Sequence, residues 1–199
     1  MRRYGTRRIV ASGNGASYYV ALALWLAALE GDRCPLEVVA VPGGLLAKGG
    51  FRWRAGDVLL AISSSGEFRD VIEAIESPGF PHPFAAVTAN HQSTIGATGR
   101  AKAMVKIPRQ RAVTHTQAFC GAVLTCLSIW ADISSDDVLR RAVAEAPGAC
   151  ERALRSSERW ADESFDSVKT PSAAVVLGTR TAWAAALEAA YYTTARRLS

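Results

Sequence analysis

The chain has 199 residues, enough for one full domain and part of a second, and its 49% hydrophobic content can supply a buried core and excludes a disordered chain. Its formal net charge of +5 comes without a basic stripe or a known nucleic-acid-binding module, so we expect no nucleic-acid partner. No apolar run reaches the length of a membrane span, and the opening stretch, MRRYGTRR, contains no apolar signal core. We therefore expect no membrane partner and a cytoplasmic location.

The first predicted unit is a strand over Arg8–Gly13, a turn, and a helix over Tyr18–Glu30. The turn reads Gly13-Asn14-Gly15-Ala16-Ser17, and we expect Ser17 to cap the helix. The helix, YYVALALWLAALE, is apolar almost all round. This pattern predicts burial on more than one side, against the sheet and against a second subunit.

The stretch Asp57 to Glu76 carries the strongest signal in the chain. An apolar run over Val58–Ile62 predicts a strand buried on both faces, Ser63-Ser64-Ser65-Gly66 interrupts it, and a helix follows from Glu67 until Pro78-Gly79. Serine hydroxyls and the unpartnered N–H groups of a helix start together predict an anion site. The alternative is that the serines only cap a helix.

The other predicted elements complete an alternating pattern of strands and helices. Two polar connections, Pro42-Gly43-Gly44 and Asn90 to Thr94, are predicted as a loop and a turn. The remaining strands and one long apolar helix are predicted over Leu36–Val41, Pro83–Thr88, Ala103–Ile107 and Gln117–Asp132. This order predicts an α/β fold: a three-layer sandwich around a five-stranded parallel sheet, of flavodoxin-like type.

A charged region separates this domain from a second, shorter unit. We predict a first domain over residues 1–134, a helical connector over 135–170 that Pro147-Gly148 divides into two helices, and a second unit over 171–199. Its strand over Ala173–Gly178 and its helix over 182–197 repeat the pattern of the first unit. A single strand-helix pair cannot bury its own apolar surface, so we expect this to be the beginning of a truncated second domain.

The cysteines and histidines offer no metal site. The four cysteines form no CxxC pair and have no histidine at ligand spacing, and His82, His91 and His115 are scattered. We expect the cysteines to be small buried hydrophobic residues in a reducing compartment: Cys34, Cys120, Cys126 and Cys150.

Two catalytic classes fit the motifs poorly. Gly13-Asn14-Gly15 lacks the third glycine of a dinucleotide fingerprint, and the second strand ends without an acidic residue for a ribose. The serine run lacks the glycine two residues before the nucleophile that a hydrolase elbow needs. Three loops at the carboxyl edge of the sheet offer hydroxyl and amide donors instead, which suit a phosphorylated polyol.

Three motifs resemble those of the sugar isomerase (SIS) domain of phosphosugar-binding proteins. The turn at 13–17 is similar to the first glycine-serine turn of that family, and Ser63-Ser64-Ser65-Gly66-Glu67 is similar to its phosphate loop. The segment 112–119, AVTHTQAF, is similar to the segment that closes over the sugar. The stretch from Ala173 on resembles the start of a second SIS domain, as in the isomerase half of glucosamine-6-phosphate synthase and in ketose/aldose isomerases and deaminases.

The resemblance implies an isomerase or deaminase that acts on a hexose or amino-sugar 6-phosphate, as a homodimer, without metal or cofactor. It implies three catalytic candidates, Glu188, His115 and Glu67, because moving a proton between adjacent carbons needs an acid and a base. It implies that the substrate is bound by residues of all three motifs: Gly15, Ser17, Ser63, Ser64, Ser65, Gly66, Val113 and Thr114.

The alternative function is a non-catalytic phosphosugar sensor. Phe68 stands where the phosphate loop usually has a threonine, and Gln117 stands where the closing segment has a lysine. Tyr192 and Ala195 replace a lysine and a glutamate of the synthase helix that carries Glu188. The departures at Phe68, Tyr192 and Ala195 favour the sensor.

Overall fold

Five parallel strands form one sheet in the order β2-β1-β3-β4-β5. The computed structural model describes residues 5–31, 34–80, 83–107, 116–168 and 175–195, without the side chains of 165–168 and 192–195. The strands are β1 (Arg8–Gly13), β2 (Glu37–Pro42), β3 (Asp57–Ile62), β4 (Ala85–Thr88) and β5 (Ala101–Met104). The predicted five-stranded parallel sheet is confirmed, and its strand order is that of flavodoxin-like folds.

Seven helices are described around the sheet: α1 (Ala16–Glu30), α2 (Gly43–Ala47), α3 (Arg69–Glu76), α4 (Thr94–Thr98), α5 (Thr116–Ser134), α6 (Asp137–Val168) and α7 (Ala182–Ala195). The short helices α2 and α4 replace the predicted loop after β2 and part of the predicted polar turn after β4. Neither has enough apolar periodicity to be recognised as a helix from the sequence.

Side chains of successive strand residues pack into different cores because they point to opposite faces of the sheet. Ile9 and Ala11 join a core that includes Phe119 and Trp130 of α5, together with residues of α1. Val10 joins a second core, which includes Val71 of α3 and residues of α2 and α4. The sheet is therefore covered on both faces, which confirms the predicted three-layer sandwich.

Helix α1 is buried on two sides, as its apolar sequence predicts, and α7 of the same chain covers part of the side away from the sheet. Leu22 and Ala23 pack against Ala184 of α7 in a third cluster. The sequence could not indicate this contact, because α7 lies more than 150 residues further along the chain. The apolar surface of α1 therefore gives no independent support for a dimer.

Helix α6 runs without interruption through Pro147, so the predicted break at Pro147-Gly148 is wrong. Asp136 caps the helix by accepting a hydrogen bond from the N–H of Leu139 (2.9 Å). A proline removes one helical hydrogen bond but has a helical φ angle. Good helix formers on both sides and exposed pairs such as Glu151–Arg155 allow the helix to continue.

The second unit lacks its predicted strand over the residues that can be compared. Residues 175–178 of the predicted strand Ala173–Gly178 have no strand structure, and Ala173 lies outside the described residues. Val175 and Leu177 are exposed. A strand needs a neighbour for its backbone hydrogen bonds, and none of the described strands pairs with this segment. The helix α7 of this unit forms because it packs on α1.

The cysteines differ in their surroundings, so the prediction that all four are buried is wrong. Cys126 is buried in the core beside α1, Cys34 is half-buried, and Cys120 and Cys150 are exposed on α5 and α6. Burial raises the pKa of the Cys126 thiol to about 12. The apolar periodicity of α5 and α6 does not by itself show which side of each helix remains exposed to solvent.

Helix α5 is long and apolar enough to cross a membrane by length and composition alone, which differs from our expectation that no apolar run has this length. Core helices pass the same test. Five residues of α5 are buried within the domain: Ala118, Phe119, Cys126, Trp130 and Ala131. Of these, Phe119, Cys126 and Trp130 belong to the core that packs against the sheet.

A buried ion pair joins the starts of the two central strands. The Arg8 guanidinium donates to both carboxylate oxygens of Asp57, with Nε–Oδ1 2.9 Å and Nη2–Oδ2 2.6 Å. The carboxylate also accepts from the N–H of Arg54, and the guanidinium lies over the ring of Phe51. The hydrogen bond to Asp57 raises the pKa of Arg8. The Arg8 guanidinium therefore stays charged although it is buried, and its Nε and Nη2 both donate to the Asp57 carboxylate.

We expect Asp57→Ala to destabilise the fold by about 3–5 kcal/mol, because it leaves the Arg8 guanidinium buried without its counter-charge. The free energy of unfolding from urea denaturation measures this. Glu73→Ala is the matched control, since it removes a solvent-exposed pair with Arg69 and should cost less than about 0.5 kcal/mol. Equal losses in the two variants would contradict the structural role of the buried pair.

Candidate active site at the carboxyl edge of the sheet

The strand order reverses between β1 and β3, and this places their two following loops side by side. The chain leaves β1 for α1 on one face of the sheet and leaves β3 for α3 on the other. In open parallel sheets, ligands bind in the crevice outside the strand ends at such a reversal. The first glycine-serine turn and the serine loop lie at this point, so the structure brings two of the three predicted motifs together.

The first turn is built by glycine and backbone contacts. Gly15 caps α1 with φ 52°, a conformation that favours glycine, and the N–H of Ser17 donates to the carbonyl of Asn14. Ser17 is the second residue of α1, so the prediction that it caps the helix is wrong. A Cβ on Gly13 would lie 2.6 Å from Ser17 Cβ and 2.7 Å from the carbonyl oxygen of Ile62. The turn therefore sits directly against the end of β3.

A side-chain hydrogen bond connects the two loops across the crevice. Asn14 Nδ2 donates to Asp70 Oδ2 at 2.5 Å. Asp70 lies in the first turn of α3, where the helix dipole favours its negative charge. The β2–α2 turn packs beside this bond, since a Cβ on Gly43 would lie 2.5 Å from Asn14 Oδ1 and one on Gly44 would lie 3.3 Å from Asp70 Oδ2. Three loops thus hold one another in place.

The serine loop is folded by its own hydroxyl groups. Ser63 Oγ accepts from the N–H of Gly66 (3.0 Å), and Ser65 Oγ accepts from the N–H of Glu67 (3.2 Å). Ser63 is buried, whereas Ser64 and Ser65 are exposed. Helix α3 begins only at Arg69, with no side-chain cap, so the alternative that these serines cap it is wrong.

These internal bonds decide which donors face an incoming anion. The N–H groups of Gly66 and Glu67 are already bonded within the loop. A serine hydroxyl that accepts one hydrogen bond can still donate its own proton. The exposed hydroxyls of Ser64 and Ser65 and the N-terminal N–H groups of α3 are therefore the donors that the loop presents at this edge.

Gly66 connects the serine loop to the neighbouring segment after β4. Its φ is +70°, and an added Cβ would overlap Ser93 Oγ and lie 3.1 Å from Thr88 Oγ1. The carbonyl of Gly66 accepts from the N–H of Ile95 (3.1 Å), and the carbonyl of Ser64 accepts from the N–H of Ala89 (3.1 Å). The segment after β4 therefore also holds the serine loop in place, on the side away from the first turn.

Glu67 is engaged by the start of helix α4. Its carboxylate accepts from the backbone N–H of Thr94 (2.8 Å) and from the Thr94 hydroxyl (2.7 Å). The hydroxyl bond, followed by the backbone bond, lowers the pKa of Glu67. A carboxylate held in this way is a weak base, so its geometry fits a structural role at the loop better than proton transfer.

Glu188 lies in a different environment, on the inner face of α7. It is 3% exposed, in contrast to the exposed Glu67. Burial, followed by the charge of Glu188, raises the pKa of Tyr19 on α1. The same charge contributes to raising the pKa of Cys120 on α5. The carboxylate therefore lies near the N-terminal parts of α1 and α5.

The third motif is not visible at the site, because Val113, Thr114 and His115 lie outside the described residues. Gln117, which follows them, is exposed in the first turn of α5. Across the described ranges, no group of three or more His, Cys, Asp or Glu side chains could hold a metal ion.

Sequence analysis missed the residues that brace the site: Asn14, Asp70, Thr88, Ser93 and Thr94. Each belongs to a common polar residue type without a motif of its own. A partial signal was present, since Asp70 stands in the first turn of a predicted helix and Ser93 precedes a short one. These residues bond to partners in other loops, and the order of the strands in the sheet decides which loops are neighbours.

Solved structures share this fold. The C-terminal domain of glucosamine-fructose-6-phosphate aminotransferase from Francisella tularensis matches with a TM-score of 0.73 and 18% identity, over 92% of this chain and 54% of that one. Tagatose-6-phosphate ketose/aldose isomerase from Escherichia coli matches with a TM-score of 0.67 and 20% identity, over 96% and 53%. Glucosamine-6-phosphate deaminase from Thermotoga maritima matches with a TM-score of 0.56 and 17% identity, over 74% and 46%.

The chain therefore has the SIS-type fold of phosphosugar isomerases, as its motifs predicted. It spans about half the length of these structures, and identities of this size establish the fold alone. No protein-family model matches the sequence. The comparison with curated proteins gave no match.

We expect Gly66→Ala to be more destabilising than Gly79→Ala. Both glycines have positive φ angles, +70° and +85°, so an alanine at either position meets a similar backbone cost of about 1–2 kcal/mol. Only the Cβ at position 66 also collides with Ser93, which should add roughly 1–3 kcal/mol, because nothing lies within 4 Å of the Cβ at position 79. Urea denaturation of both variants measures the difference, and equal costs would contradict the close contact.

We expect the pKa of Glu67 to rise toward its ordinary value in Thr94→Val, because the hydroxyl bond is the main cause of its lowering. A group whose pKa is lowered by folding stabilises the fold at neutral pH, and this contribution is lost as the pH falls through the folded-state pKa. Thr94→Val should therefore reduce stability more at neutral than at acidic pH. NMR titration of the Glu67 carboxyl carbon measures the pKa directly.

Thr98→Val is the control, since the Thr98 hydroxyl donates to the carbonyl of Thr94 and does not contact Glu67. An unchanged Glu67 pKa in Thr94→Val, or an equal rise in both variants, would contradict the assigned cause.

Proposed function

We propose that this protein binds a hexose or amino-sugar 6-phosphate at the crevice between the first turn and the serine loop, and that it isomerises or deaminates the sugar in the cytoplasm. The phosphate is the chemical group that the serine loop suits. The observation that carries the proposal is the adjacency of the two loops at the strand-order reversal, with Asn14 of one bonded to Asp70 of the other.

The phosphate would accept hydrogen bonds from Ser64 and Ser65 and from the first N–H groups of α3. Ser63 and Gly66 would contribute by holding the loop, and Gly15 and Ser17 would line the opposite side. Both carboxylates beside this site are hydrogen-bonded, Asp70 by Asn14 and Glu67 by Thr94, which moderates their repulsion of an anion. Val113 and Thr114 are proposed to complete the sugar site on the strength of the motif alone.

Glu188 is the strongest of the three candidates for proton transfer. Its carboxylate is buried near the first turns of α1 and α5, where water access is limited. Glu67 is fixed by two hydrogen bonds, and His115 is proposed only from its place in the motif. A base at position 188 would remove the proton at the second carbon of the opened sugar.

The neighbouring structures support the substrate class by their own activities, since they include a ketose/aldose isomerase and a deaminase of sugar 6-phosphates. The resemblance of the serine loop to the phosphate loop of SIS domains supports the same substrate class. The sensor alternative rests on a specific observation, the exposed phenyl ring of Phe68 at the place of a hydroxyl donor. A homodimer stays a prediction that rests mainly on the resemblance, because α7 covers part of the α1 surface that also suggested it.

We expect one sugar 6-phosphate in a panel of phosphates to raise the melting temperature by several degrees, because a ligand at ~100 times its Kd stabilises by roughly 2.7 kcal/mol. The matching free sugar should give no shift. Ser65→Ala should raise the Kd about ten- to a hundredfold, because a hydrogen bond to a charged group contributes about 1.5–3 kcal/mol.

Ser77→Ala is the matched control, since Ser77 lies at the opposite end of α3, where its hydroxyl donates to the carbonyl of Ala74. It should leave the Kd unchanged, as measured by calorimetry. Binding that survives Ser65→Ala intact, or that requires no phosphate group, would refute the proposed phosphate site.

We expect Glu188→Gln to abolish turnover of the bound sugar while leaving its Kd within about threefold. Proton NMR in D₂O measures exchange at the second carbon for an isomerase, and an ammonia assay detects a deaminase. Glu67→Gln is the comparison and should retain turnover. Tight binding by the wild type without exchange or ammonia release would favour the sensor, and exchange that persists in Glu188→Gln would exclude this residue as the base.

A further inference from the structure

Helices α5 and α6 form an antiparallel hairpin whose closed end is well defined. Two residues, Ser135 and Asp136, connect the helices. The carbonyl of Ala131 accepts from the N–H of Asp136 (2.9 Å) and from Arg140 Nη2 (3.4 Å), and Leu139 packs against the core beside α5. The Ala131 side chain is fully buried and Leu139 is half-buried at this closed end, so we take these two positions as the inner sides of the helices.

Two cysteines lie at matching heights on this hairpin. Cys120 precedes Ala131 by the same number of residues, eleven, by which Cys150 follows Leu139. Eleven residues make about three helical turns, so each cysteine returns to within roughly 20° of the facing side, ~16 Å from the closed end. On α6, the half-buried Val143 and Ala146 fill the same side between Leu139 and Cys150. The helical register therefore places both cysteines on the sides of α5 and α6 that face the seam.

The electrostatics of Cys120 agree with this register. Its pKa is raised mainly by desolvation, and next by the charge that Cys150 carries when it is ionised. This influence of Cys150 is consistent with a position of the two cysteines on the same seam. Both residues are nevertheless exposed, in contrast to Cys126 in the core, so a small oxidant can reach them.

We propose that Cys120 and Cys150 form a reversible disulfide that joins the open end of the α5–α6 hairpin under oxidising conditions. The helix can adjust at this point, because Pro147 cannot donate a hydrogen bond to the carbonyl of Val143 in the turn before Cys150. The oxidant is a small-molecule disulfide of the glutathione type. This inference is independent of the proposed phosphosugar site.

The reaction is a thiol–disulfide exchange in two steps. The thiolate of one cysteine attacks the small-molecule disulfide, displaces one thiolate, and forms a mixed disulfide. The thiolate of the second cysteine then attacks the protein-bound sulfur and displaces the other small thiol. The two cysteines lose two electrons and two protons, and the oxidant leaves as two thiols. Because thiolates are the attacking species, the reaction should accelerate as the pH rises.

The experiment is oxidation of the reduced 199-residue chain with oxidised glutathione, followed by intact-mass measurement and peptide mapping without reduction. We expect the mass to fall by two hydrogen atoms, one linked peptide pair that contains Cys120 and Cys150, and full reversal by dithiothreitol. Cys34→Ser should give the same link. Cys120→Ser and Cys150→Ser should lose it and gain a glutathione adduct on the remaining partner.

Three results would overturn the proposal: glutathione adducts on both cysteines of the wild type without an internal link, a link from either of them to Cys34, or no reaction. The wild-type peptide map alone decides among these outcomes, so the proposal can be tested even if a serine variant fails to fold.

Discussion

The strand-order reversal between β1 and β3 is the constraint on which the site depends. Both faces of a parallel sheet must be covered, so the chain leaves the two central strands toward opposite sides. The loops after these strands then diverge and leave a crevice between α1 and α3. Gly13 allows the first turn to approach the end of β3, and the bond from Asn14 to Asp70 spans the remaining gap. This geometry brings the first turn and the serine loop, which are far apart in the sequence, to one site.

Hydrogen bonds within the serine loop and to the neighbouring segment hold this loop in place. Ser63 and Ser65 close it from within, and Gly66 and Glu67 fasten it to the segment after β4. An anion would therefore meet donors whose positions are already set, which lowers the entropy lost on binding. The hydrogen bonds within the loop occupy the backbone N–H groups of Gly66 and Glu67. An anion would therefore be bound mainly by serine hydroxyl groups and by the N–H groups at the start of α3.

Helix α7 lies on the α1 side of the sheet and has two structural effects there. It covers α1, and it places the Glu188 carboxylate beside Tyr19 and near the first turn of α5. Cys120 lies near the start of α5, and the charge of Glu188 contributes to raising its pKa. A carboxylate and a phenol thus lie together between α1 and α7.

The sequence by itself determined the five strands of the sheet, the helices α1 and α5 and the serine loop, because burial on both faces and turn chemistry leave local patterns. It also predicted a strand at 173–178 that residues 175–178 do not form. It misjudged Ser17 as a cap and Pro147 as a helix break, since the start or end of a helix depends on neighbouring bonds as well as residue type. Only the tertiary structure decided that α7 covers α1 and that Asn14 meets Asp70. Those contacts join residues far apart in the chain, and their partners are set by strand order and helix packing, which leave no trace in local sequence.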